Sequence, residues 1–134
     1  MIKGYTLPAP THMAVLSTIK DKRPSLRPMT MINQNGRLFF ATGSKDAKVA
    51  QIDTNPYVEC LVLQSNEHGN GYFRIAGKLH TVTDHTIKQA VADYAPFIYQ
   101  YWDDVANEDF VLYELDVETC RYLKPGANLE EECR

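Results

Sequence analysis

The residues best placed to do chemistry lie between positions 25 and 56, SLRPMTMINQNGRLFFATGSKDAKVAQIDTNP, and above all in the turn ATGSKDAK. Arg27, Lys45 and Lys48 bring positive charge there, Thr42 and Ser44 bring hydroxyls, and a helix starting after Gly43 brings backbone N–H groups that lack intrahelical partners. A phosphate takes these three kinds of donor, charge-assisted from Arg or Lys and neutral from hydroxyls and helix-start amides. A lysine at a helix start can equally be a solvated surface residue, and Lys45 is open to that reading.

Other chemistries find less support. His80 and His85 are five apart, which suits neither one helix face nor one strand face, and no ligand cluster gathers around His12 or His68, so no metal site is expected. Cys60 lies in an apolar run and reads as a buried small hydrophobe rather than a nucleophile. No side chain stands out as an obligatory acid or base, and no catalytic residue is assigned.

The elements that must position these residues belong to a chain of 134 residues, which suits one domain over residues 1–134. Net charge is -3, so a broad nucleic-acid surface is disfavoured and a small-molecule partner is expected. No apolar run has the length of a membrane span and residues 1–12 lack the apolar core of a signal peptide. The three cysteines, Cys60, Cys120 and Cys133, are odd in number and form no C-x-x-C pair, which suggests reduced thiols and a cytoplasmic location.

Residues 1–11, with two prolines, read as an extended lead-in. Residues 12–19 and 25–33 form a hairpin across the polar turn Lys20-Asp21-Lys22, with Leu26, Pro28, Thr30 and Ile32 on one face and Arg27, Met29 and Met31 on the other. Pro28 hints at an edge or a bulge. Asn35-Gly36 is a strong hairpin turn into a third strand over 37–42. Ser44 reads as the N-cap of a helix over 44–54 that Asn55-Pro56 ends. Strands follow over 57–64 and 72–83, joined by HGNG, with Gly77 marking a bend or bulge. Asp84 starts a second helix, Pro96 opens a further helical segment, an acidic loop covers 103–109, and the alternation in FVLYELDV predicts a last strand from Phe110 that can extend to Leu123. The polar tail from Lys124 is expected to fray. Six strands joined mostly by hairpins, with helices at two places, predict a mainly β fold, an antiparallel β-barrel with peripheral helices.

The RPMTM strand, LFFATGSKDAKVAQIDTNP and YFRIAGKLHTVTD, in that order and spacing, resemble the pyridoxamine 5'-phosphate oxidase-like FMN-binding split barrels, including small bacterial general-stress proteins. The resemblance covers residues 12–123. It implies a six-stranded antiparallel split barrel and a homodimer with FMN at the subunit interface, each flavin touched by both chains. By motif position Arg27, Pro28, Met29 and Thr30 would flank the isoalloxazine and phosphate, Phe40, Ala41 and Thr42 would continue that wall, and Lys48 would pair with the phosphate. Ser44 and Lys45 join the same set, because the longer turn leaves open which lysine meets the phosphate. Met29, Met31, Phe40 and Trp102 are candidates for the ring's wall, although by residue type alone plain core is the stronger reading for each.

The implied activity is that of an FMN-dependent oxidoreductase acting on a small substrate or a reduced nicotinamide donor, without nucleic-acid or membrane partners. The alternatives are a flavin-binding or flavin-sequestering stress protein with little turnover and a haem-binding split barrel. The vitamin B6 oxidase itself continues past its last strand into an Arg-x-His segment, for which LKPGANLEEECR has no counterpart, so pyridoxamine phosphate oxidation is not expected.

Overall fold

In the computed structural model, residues 10–133 are described; the lead-in expected over 1–11 lies almost wholly outside them. The described elements, in chain order, are strands β1 (Thr11–Lys20), β2 (Arg23–Gln34) and β3 (Arg37–Gly43), helix α1 (Ala47–Thr54), strands β4 (Tyr57–Asn66) and β5 (Gly69–Thr81), helix α2 (His85–Tyr94), a 3₁₀ helix (Pro96–Gln100), and strands β6 (Phe110–Leu123) and β7 (Glu131–Glu132).

All strand pairs are antiparallel, in the order β3-β2-β1-β4-β5-β6-β7, and a further β3–β6 pairing closes six of the strands into a ring. Two hairpin turns adopt positive φ, at Asp21 (φ 49°) and Lys22 (φ 65°) and at Asn35 (φ 52°) and Gly36 (φ 86°), the second with both residues tolerant of that conformation. The register of β5 against β6 slips at Ala76/Gly77, the irregularity expected there, and a Cβ on Gly77 would stand 2.0 Å from the Asp116 carbonyl oxygen.

Strand alternation sends successive residues of β2, β3 and β6 into two different cores. Met31, Phe40 and Tyr113 pack inside the ring with Leu16, Val62, Phe73 and Ile75. Their neighbours Ile32, Phe39 and Leu112 point outward and are covered by Val91 and Ala92 of α2, by Ala95 at its end, and by Ile98 and Trp102 beyond it. The amphipathic α2, capped by Asp84 accepting from the Thr86 N–H at 2.8 Å, is therefore a lid on the outside of the barrel.

Three expectations are corrected. The strands number seven among the described residues, because the tail does not fray: it turns at Lys124, where the Ala127 N–H donates to the Lys124 carbonyl at 2.9 Å, and returns as β7 beside β6. The thiols are not all reduced: β7 pairs Arg121 with Glu132, the next pair in that register is Cys120 and Cys133, and these two form a disulfide while Cys60 stays free and buried. The N-cap of α1 is Asp46, not Ser44; its Oδ1 accepts from the Lys48 N–H at 3.0 Å, and the helix begins later than expected, at Ala47.

Candidate functional site

The ring has a gap, and the candidate site lies along it. β2 pairs with β1 over its whole length, yet with β3 only from Met31 to Gln34. On that side, Arg23 through Thr30 keep a backbone edge with no strand partner among the described residues, while β3 pairs with β6 from Leu38 to Gly43 along its other edge. An open edge of this kind offers backbone donors and acceptors to a ligand. Helix α1 lies beside it, its Val49 and Ile52 packed on the inner core, which orients Lys48 and Gln51 of the same helix toward β1, β2 and β3.

The polar groups of α1 meet those of the strands directly. Lys48, buried at 7% exposure, holds its Nζ 3.0 Å from Thr42 Oγ1 and 2.8 Å from Asp46 Oδ2. Arg27 donates to the Leu16 carbonyl (3.2 Å), Ser25 Oγ (3.0 Å) and Gln51 Oε1 (3.1 Å). Gln51 also accepts from the buried Thr18 hydroxyl at 2.6 Å. The Lys48 ammonium and its amide, with the Arg27 charge adding to them, hold the Asp46 carboxyl below the ordinary carboxylate value, while burial pulls Arg27 down against the raising effect of Asp46. One carboxylate thus contacts Lys48 and acts at longer range on Arg27 of the neighbouring strand.

The remaining expected site residues divide between the two faces of β2 and the turn. Met29 is half-buried on the Arg27 side, next to the inner core, whereas Pro28 and Thr30 alternate to the outer face. Phe40 is fully buried inside the barrel, as is Met31, so their side chains pack core; Ala41 is partly covered by the outer core. Trp102 also belongs to the outer core, where its Nε1–H donates to Asp109 Oδ2 at 2.9 Å. Asp109 draws Ser44 away as well, accepting from its N–H (3.1 Å) and its hydroxyl (3.0 Å). Lys45 is exposed and its charge acts on Asp109. Of the two lysines, Lys48 is the one that shares a cradle with Arg27.

Sequence reasoning missed Asp46, Gln51 and Thr18. Gln51 was legible in part, since it lies three residues after Lys48 and so on the same helix face. Thr18 had no signal, because only the fold carries the middle of β1 to α1. Among the described residues no group of three or more His, Cys, Asp and Glu is arranged to hold a metal ion.

A family model, Pyridoxamine 5'-phosphate oxidase, matches residues 6–124. The chain belongs to that family. Similar solved structures share its fold at low identity: General Stress Protein 26 from Bacillus anthracis str. Sterne (20% identity, TM-score 0.72, 91% of this chain and 89% of that one), a heme binding protein from Mycobacterium smegmatis (14%, 0.74, 92% and 52%) and a FAD-binding protein from Mesorhizobium loti (17%, 0.65, 84% and 87%). At these identities the likeness is one of fold, the mainly β split barrel of the family. No curated protein matches this chain.

Proposed function

We propose that this member of the pyridoxamine 5'-phosphate oxidase family is an FMN-binding flavoprotein, an oxidoreductase that takes electrons from a reduced nicotinamide or another small substrate. The observation that carries the reading is that helix α1 ties both cations together beside the free edge of β2: its Gln51 accepts from Arg27 at 3.1 Å and its Lys48 donates to Thr42 at 3.0 Å. Their donors are not exhausted. Lysine has three and arginine five, and the described bonds use two on Lys48 and three on Arg27. The spare ones suit the phosphate of a flavin mononucleotide.

Arg27, Thr42 and Lys48 would hold that phosphate, and the open backbone of β2 with Met29 would border the ring. The bound flavin supplies the redox chemistry, and the chain's part is to bind it, orient it and leave one side open to a substrate. Phe40 and Ala41 support this wall from behind rather than touching the ring, and Ser44 and Lys45 stand at its margin.

A homodimer completes the proposal. The outer face of the sheet exposes Met13 and Leu63, at 67% and 68%, with Leu26 and Pro28 beside them, and Val15 and Leu61 are paired between them. Such a contiguous apolar face fits an interface with a second copy, which would add residues to the flavin site at the neighbouring edge. The cytoplasmic location is part of the same proposal, but the Cys120–Cys133 bond removes the cysteine support for it. Alkylation of thiols in protein taken directly from cells decides it: free Cys120 and Cys133 support the cytoplasm, an intact bond an oxidising compartment.

The FMN reading is tested with Arg27→Ala/Lys48→Ala. Loss of two charge-assisted contacts lowers FMN affinity by about a hundredfold or more, read by quenching of flavin fluorescence, with riboflavin as the phosphate-free control. Equal FMN affinity in variant and wild type would remove the phosphate assignment. A second reading, haem binding, is favoured by the fold shared with the M. smegmatis heme binding protein, and a Soret band in the purified protein in place of flavin absorbance would select it.

A further inference from the structure

The cradle formed by Arg27, Lys48 and Thr42 already contains an anion. Asp46 Oδ2 sits 2.8 Å from Lys48 Nζ, close enough to occupy one of the three ammonium donors, and its charge acts on Arg27 too. Its other oxygen is engaged in capping α1 through the Lys48 N–H at 3.0 Å, which fixes the carboxylate in place. Asp46 is therefore not a mobile counterion that swings away when a ligand arrives, because leaving Lys48 would also uncap the helix. With two cations and one fixed carboxylate, the cradle carries a net charge of about +1 where Arg27 and Lys48 alone would give about +2.

We infer that Asp46 is an affinity-limiting residue of the phosphate cradle, an internal anion that competes with the phosphate of a bound nucleotide for Lys48 and Arg27 and keeps that nucleotide exchangeable. This rests on the flavin reading above and sharpens it, because it casts FMN as a loosely held, replaceable ligand rather than a permanently retained group. A phosphate monoester is close to a dianion at neutral pH, so it feels the neighbouring carboxylate strongly, whereas a ligand without the phosphate does not.

Asp46→Asn separates the two duties of the residue. The amide oxygen can still cap α1, and the charge is gone. FMN affinity is expected to rise by about tenfold, a figure kept modest because the carboxylate is partly exposed to solvent and screened, while riboflavin affinity stays as in the wild type. Inorganic phosphate, followed as a thermal shift of the apoprotein, is expected to stabilise Asp46→Asn more than wild type at equal concentration. Asp46→Ser, which also caps, repeats the test if the amide perturbs the helix. Wild type that binds FMN while both variants bind it equally or more weakly overturns the role of Asp46 and leaves the flavin reading standing. Failure of FMN, riboflavin and inorganic phosphate to bind any of the three proteins overturns both. A gain for riboflavin as large as that for FMN also overturns it, since the effect would then lie at the ring and not at the phosphate.

Discussion

Two of the clusters that pair basic side chains with carboxylates on this barrel differ in how they are held together and in what is left over. At α1, Asp46 and Lys48 are two residues apart, and the helix cap that joins them is local structure. At the other cluster, Glu130 of the tail accepts from Tyr72 Oη, stands 3.0 Å from Arg74 and 3.5 Å from Arg121, and Glu59 approaches Arg74 at 3.5 Å. Pairing of β4, β5 and β6 sets Glu59, Arg74 and Arg121 side by side, and Glu130 joins them because the tail returns along β6. Two arginines face two carboxylates, so the tail cluster is balanced, while the α1 cluster keeps one cation in surplus. A balanced, long-range cluster is a clamp. A surplus beside an open strand edge is a place for an anionic ligand.

The largest effect that distinguishes the two comes from the tail. Replacing Cys120 and Cys133 by Ala removes a link between residues 13 apart, for which loss of about 3 kcal/mol is expected from chain entropy. Urea unfolding of the oxidised wild type against the double variant measures it. The tail clamp should loosen while FMN affinity is retained, because nothing in the cradle rests on residues 124–133. Loss of FMN binding in a folded double variant would show that the clusters are coupled and break the comparison.

That contrast also marks what the sequence made legible. Hairpin turns, both helices and the alternation of β2 could be read from residues a few positions apart, since Asn35-Gly36, Asp84 and Asn55-Pro56 act on their own neighbourhood. The cradle was half legible: Lys48 and Arg27 were visible as cations, but the competitor Asp46 was hidden by Ser44, an equally good cap two residues earlier that Asp109 captures from 65 positions away. The disulfide was hidden because a polar tail gives no periodic signal, and its two-residue strand β7 exists only against β6. Two aromatic side chains are committed elsewhere for a related reason. Phe40 and Trp102 are the kinds of residue a flavin ring would choose, but strand alternation and α2 commit them to the inner and outer cores.

A smaller effect is expected from acid. Hydrogen bonds from Tyr72 and then Arg74 hold the Glu130 carboxyl below its ordinary value of 4.5. A carboxylate lowered in the folded state stabilises fully above the unfolded value and loses that contribution as pH falls through the folded one. In the Cys120→Ala/Cys133→Ala protein, where the disulfide no longer masks it, the tail should therefore open below pH 4.5, seen as loss of exchange protection of the amide at position 133, whose N–H donates to the carbonyl of residue 120. Adding Glu130→Gln to that protein should make the opening independent of pH. An opening that keeps its pH dependence with Gln in place would assign the clamp to another carboxylate.

The smallest effect concerns a polar group that neither cluster serves. The hydroxyl of Tyr113, inside the barrel, has no hydrogen-bond partner among the described residues, and burial, with a smaller push from Asp53, raises it to about 12. A tyrosine raised from its ordinary value of 10 favours its neutral form in the folded state, so its contribution is complete below pH 10 and is lost as pH rises from 10 to about 12. Removing an unpaired buried hydroxyl while keeping the ring is neutral to stabilising, and Tyr113→Phe is expected to leave stability unchanged at neutral pH or raise it by up to about 1 kcal/mol. It should also flatten the alkaline limb of the stability curve. A loss of more than about 1 kcal/mol would mean that the hydroxyl does have a partner in solution, and the inner core would then hold a third polar site to set beside the cradle and the clamp.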